Sequence, residues 1–144
     1  MNITSSFLST LLVFAICQGS SAQDSALPAT AKNDVVSRRS LLQVDLAPAK
    51  QVSHLDVKEV TLVAHAATGL HLHPIPIIGQ ISDGHIAFQV EGQPLKHLSP
   101  GDAFLEPANA RIIHFDNEDD HPTRFFIVAL VGPTDHEYIR MLKE

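Results

Sequence analysis

Two histidines set two residues apart are the first place in this chain where chemistry can happen. In Gly69-Leu-His-Leu-His-Pro74, side chains at i and i+2 of an extended strand point to one face, so His71 and His73 project together into whatever space that face encloses. Two imidazoles held that way can share one metal ion. Pro74 has no amide hydrogen to donate and ends regular pairing just after the second histidine. A bare His-x-His also arises by chance on surfaces and in cores, so the reading rests on its surroundings. Nine histidines in 144 residues is a high count, and imidazole is both the commonest metal ligand and the side chain that titrates near neutrality.

The elements that must position this pair have a period of two. Lys58 to His65 alternates, with Val60, Leu62 and Ala64 on one face, and His85 to Glu91 places Ile86, Phe88 and Val90 together. Leu41 to Leu46 is a short β-compatible run. Phe125 to Val131 is unbroken apolar sequence, the composition of a strand buried on both faces. Gly69, Gly79, Gly84, Gly92 and Gly101 punctuate these runs, the spacing of many strands joined by tight turns. A sandwich or closed barrel is expected. Only Thr134 to Leu142 reads as a helix, with Thr134 and Glu137 as a capping box.

The ends and the charge bound the rest. Leu8 to Ile16 is a short apolar run followed by Gly19, Ser20, Ser21 and Ala22, which predicts a signal peptide over residues 1–22, cleaved to leave Gln23 first. An uncleaved anchor is the alternative; the run falls short of the roughly 20 apolar residues a bilayer span needs. Cys17, the one cysteine, lies inside this segment. Residues 23–38 have the composition of a flexible linker, residues 39–132 the strand pattern, and residues 133–144 form the tail. The expected product is exported, periplasmic or secreted, with no membrane contact after cleavage. A formal charge of -6 supplies no basic stripe, so nucleic acid is excluded as an expected partner.

His71-Leu-His-Pro-Ile-Pro-Ile-Ile-Gly-Gln-Ile-Ser-Asp-Gly84 resembles the first motif of the cupin superfamily. Gly101-Asp-Ala-Phe-Leu-Glu-Pro107, with His114 and Asn117 beyond it, resembles the second. The resemblance runs from Arg39 to Gly132. It implies an all-β chain folded as a double-stranded β-helix, the cupin jelly-roll barrel, followed here by the short C-terminal helix. It also implies one divalent transition metal (Fe, Mn, Zn, Ni or Cu) inside the barrel mouth, with His71, His73 and His114 as ligands. Three departures stand out. Ile77 occupies the position of the family's usual glutamate, His114 falls two residues later after Pro107 than the common pattern, and Asn109 stands where glycine is typical.

Three neutral imidazoles leave the charge of a divalent ion uncompensated, which favours an anionic ligand or an added carboxylate. Glu106 is the candidate carboxylate. An acidic side chain inside an apolar barrel is costly without a cation, while one at the rim in water costs nothing; the sequence leaves both open. The remaining histidines and the acidic run Asp116 to Asp120 read as solvated. The functions implied are a metal-dependent oxygenase or isomerase acting on a small molecule, a non-catalytic metal- or ligand-binding module, or a barrel that has lost its metal. The apolar run Phe125 to Val131 and the sheet edges point to a homodimer.

Overall fold

A computed structural model describes residues 35–143; the signal-peptide reading and most of the linker reading lie outside them. The unit from Arg38 onward is built from nine strands: β1 (His54–Leu62), β2 (His71–Leu72), β3 (Ile77–Asp83), β4 (Ile86–Val90), β5 (Lys96–Leu98), β6 (Ala103–Glu106), β7 (Arg111–Asn117), β8 (Thr123–Val131) and β9 (Arg140–Met141). They form two antiparallel sheets, ordered β1-β8-β3-β6 and β5-β4-β7-β2-β9. Chain neighbours rarely pair: β1 lies on β8, and β2 on β7 and β9. This is the two-sheet jelly roll expected from the strand pattern and the resemblance.

The period-two alternation does the packing. Ile86, Phe88 and Val90 of β4 are all buried against the facing sheet. Phe88, Phe104, Phe115 and Phe125 meet in the middle with ring centroids 5.0–6.2 Å apart, the offset and edge-on spacing that aromatic quadrupoles favour. Gly79 makes room for them, since a Cβ there would sit 2.2 Å from the Phe104 ring. A second, smaller cluster of Ile75, Ile77, Ala129 and Val131 fills the other end. Among the described residues, the buried polar side chains are His71, His73 and Glu106 and, hydrogen-bonded to each other, Asn117 and Thr123.

Three expectations change. The tail is not helical: Leu142 N donates to Leu70 O and β9 pairs with β2, so the segment gains ladder hydrogen bonds as a strand. Its proposed capping residue Glu137 pairs instead with Arg140, and Pro133 precedes it where chain direction turns. Leu41 to Leu46 forms no strand and its apolar side chains are partly exposed. β8 is buried on one face only, because Phe126 is 45% exposed while Phe125, Ala129 and Val131 are buried. The outer positions of β8 continue an apolar row across the sheet, in register from Val57 through Val128 and Ile78 to Leu105.

Candidate metal centre

His71 enters the interior from β2, and Leu72 between it and His73 faces outward, as the period of a strand requires. Directly across the ladder from His71 is Ile112 of β7, fully buried. In the other sheet, Ile77 of β3 lies directly opposite Glu106 of β6. Opposed residues of an antiparallel pair share a face, so the Glu106 carboxylate enters the space that Ile77 also lines. Two histidines from one sheet and one glutamate from the other therefore meet between the layers, with donor atoms all within 4.8 Å of one another. The three residues are 2%, 9% and 5% exposed.

The hydrogen bonds fix which nitrogen faces inward. His71 Nδ1–H donates to Gly69 O at 2.7 Å, and His73 Nδ1–H donates to Tyr138 O at 2.5 Å. A carbonyl can only accept, so each Nδ1 carries a proton and it is Nε2 that faces the interior, where a neutral ring would present its lone pair. His73 Nε2 lies 3.0 Å and His71 Nε2 3.9 Å from Glu106 oxygens. Two lone pairs facing a carboxylate repel unless a cation or a shared proton lies between them. The donor set thus fits a divalent ion: two oriented imidazoles, each tied behind to a carbonyl, and one carboxylate. Three candidate protein ligands are one fewer than the four that close a tetrahedral structural site.

Burial works against charge on both kinds of group, and their mutual attraction overcomes it. For His71, burial lowers the pKa, but attraction to the Glu106 carboxylate and the hydrogen bond to the Gly69 carbonyl outweigh this and raise it above 6.5. For Glu106, burial raises the pKa, but both imidazoles together hold it below 4.5. The raised histidine stabilises the fold below pH 6.5 and loses that contribution as pH climbs through its folded value. The lowered glutamate stabilises above pH 4.5 and loses its contribution as pH falls through its folded value. The metal-free barrel is therefore expected to gain most from this pair between about pH 4.5 and 6.5. Urea midpoints of metal-free wild type and Glu106→Gln should diverge inside that window; equal midpoints throughout would contradict the assignment. Metal binding runs the other way, strengthening as protons leave the imidazoles at higher pH.

His114 is not part of the group. A register shift between Gln89 and Val90 inserts Ile113 as an extra residue in β7, so Ile112 pairs with Val90 and His114 with Gln89. The bulge keeps Ile112, Phe115 and Asn117 inward and turns Ile113 and His114 out. His114 is half exposed, its Nδ1 2.6 Å from Asp116 Oδ2. The residue beside His71 on β7 is Ile112, five positions after Pro107, where the resemblance places a histidine. The barrel thus brings together two of the three histidines implied by the resemblance, and Glu106 supplies a carboxylate from the strand next to Ile77.

Sequence reasoning missed the carbonyl of Tyr138, which orients His73. No side-chain type signals a backbone acceptor, and the segment that carries it reads as a helix. The acidic run is also only partly solvated: Asp119 accepts from the His85 amide at 2.7 Å, and Asn117 is buried.

No family model matches the chain, and no curated protein sequence matches it. Solved structures do. A sugar phosphate isomerase of the cupin superfamily from Silicibacter pomeroyi aligns with a TM-score of 0.52 at 25% identity, over 64% of this chain and 59% of that one. A DMSP lyase from Ruegeria pomeroyi aligns with a TM-score of 0.52 at 24% identity, over 60% and 42%. An oxalate oxidase bound to the substrate analogue glycolate aligns with a TM-score of 0.52 at 15% identity, over 61% and 46%. The chain spans about half the length of these structures.

Proposed function

We propose that this chain, a cupin in fold, holds one divalent transition metal (Fe, Mn, Zn, Ni or Cu) through His71, His73 and Glu106, and uses the open positions to transform a small anionic molecule. The observation that carries this is the convergence of two Nε2 lone pairs and one carboxylate within 4.8 Å. The metal, when bound, supplies Lewis acidity or oxygen chemistry. The chain's own residues orient it: the carbonyls of Gly69 and Tyr138 hold the two rings, and Ile75, Ile77 and Ile112 keep the surroundings dry. One carboxylate against a divalent ion leaves a net positive charge in a low-dielectric space, which favours an anionic partner. The isomerase, lyase and oxidase that share the fold support small-molecule chemistry without selecting a reaction, because one fold hosts many.

A non-catalytic metal-binding module is the second reading, and the number of open positions separates the two. Cobalt(II) loaded into the full chain reports its coordination through visible absorption. Adding acetate should change that spectrum if a position is open to an anion; an unchanged spectrum at saturating acetate would favour the closed, non-catalytic site.

Export and self-association complete the reading. Intact-mass analysis of protein recovered outside the cytoplasm is expected to show Gln23 as the first residue; a chain beginning at Met1 would reverse the export assignment. The outer row Val57, Val128, Ile78 and Leu105, with Val57 63% and Phe126 45% exposed, supports a homodimer, since exposed apolar surface of this kind favours a partner.

A further inference from the structure

The three site residues are nearly inaccessible, so an ion or substrate reaches them only when some part of the wall moves. One wall held by few contacts is the segment after β8. At its root, Asp135 Oδ2 accepts from Gly132 N at 2.7 Å and from Lys50 Nζ at 2.5 Å. At its far end, two-residue β9 lies on β2, and Leu142 N donates to Leu70 O at 3.0 Å. Between these pins His136, Glu137 and Ile139 are exposed. Tyr138 alone turns in. It packs on the Ile75, Ile77, Ala129 and Val131 cluster, its ring lies 4.9 Å from the Lys58 ammonium, and its carbonyl accepts the hydrogen bond from His73 Nδ1–H.

We propose that residues 133–142 are the gate of the metal site, a strap that opens by unzipping β9 from β2 and swinging about the Asp135 clamp. This rests on the metal reading above. Segments with few buried contacts and short ladders open at a small fraction of the global unfolding cost, and this one combines both. Its opening also removes the acceptor that orients His73, because the same residue that closes the mouth holds that ring. Access and ligand geometry are therefore coupled: a closed strap fixes His73 for binding, and an open strap exposes the site while freeing the ring. Tyr138 is a positioning residue through its main chain and a latch through its side chain.

The test locks the strap in the full chain. Leu72 and Arg140 are directly opposed in the β2–β9 ladder, the placement that a cross-strand disulfide needs. Leu72→Cys with Arg140→Cys, in a Cys17→Ser background, gives a reversible lock whose closure is checked by thiol count. After loading with zinc, removal by excess EDTA is timed in the oxidised and reduced forms of the same protein. Oxidised protein is expected to lose zinc about tenfold more slowly, and reductant to restore the rate. Tyr138→Ala, which keeps the carbonyl but removes the latch, is expected to accelerate the loss. Equal rates in the two redox forms, or an unchanged rate in Tyr138→Ala, would overturn the gate. Failure of the disulfide to form would overturn the β2–β9 pairing it depends on. A reduced protein that takes up no zinc at all overturns the metal reading, and the gate with it, whereas normal uptake with equal rates overturns the gate alone.

Discussion

Glu106→Ile is expected to empty the metal site, and adding Ile77→Glu to the same chain is expected to refill it. The single change removes the one carboxylate of the proposed site and leaves two imidazoles in an apolar space. Affinity for zinc should fall by about a hundredfold or more, roughly 3 kcal/mol. The double variant moves the carboxylate one strand sideways. Ile77 and Glu106 are directly opposed, so a glutamate at 77 starts roughly 5 Å from the one it replaces and points to the same face. Most of the lost affinity should return, read by competition with a chromogenic chelator. A double variant as empty as Glu106→Ile would mean that position 77 does not look into the metal space, and the register argument would be wrong.

Asn117→Ala is expected to cost the largest stability of any polar substitution in the barrel. Asn117 is 3% exposed, and its Nδ2 donates to Leu62 O at 3.1 Å and to Val63 O and His121 O at 2.9 Å. Its Oδ1 accepts from Asp119 N and from Thr123 Oγ1, each at 2.9 Å. One side chain thus ties the end of β1, the turn into β8 and the start of β8 together. Truncation strands several of these groups, at about 1–3 kcal/mol each where water cannot reach, so a loss of about 3 kcal/mol is expected. Asn117→Asp should be at least as damaging although it is isosteric, because it aims a carboxylate oxygen at three carbonyls. Urea unfolding of the metal-free proteins checks both. An Asn117→Asp protein near wild-type stability would contradict the donor assignment.

The strands were legible where side chains alternate cleanly. Ile86, Phe88 and Val90 announce β4 because burial on one face is what a period of two records. β8 misleads because its outer face is apolar too, so composition alone cannot separate a strand buried on both sides from one with an exposed apolar face. The tail misleads because its preference for extended structure comes from pairing with β2, a contact distant in sequence that no local signal carries. In the site, His71 and His73 stand two residues apart in extended chain, and their shared face is a local property. Glu106 depends on the pairing of β3 with β6, and His114 is turned outward by one inserted residue. A single-residue shift in register exchanges the faces of a strand, and nothing in the composition of Ile112 to Phe115 marks where the bulge falls.

Metal content is the most direct test of the central claim. The full chain, purified without a histidine tag, is loaded with zinc, desalted and measured by mass spectrometry alongside His73→Ala and His114→Ala. Near-stoichiometric zinc in wild type and in His114→Ala, with loss in His73→Ala, is the predicted result. Loss in His114→Ala, or zinc retained at wild-type level in His73→Ala, would contradict a centre built from His71, His73 and Glu106.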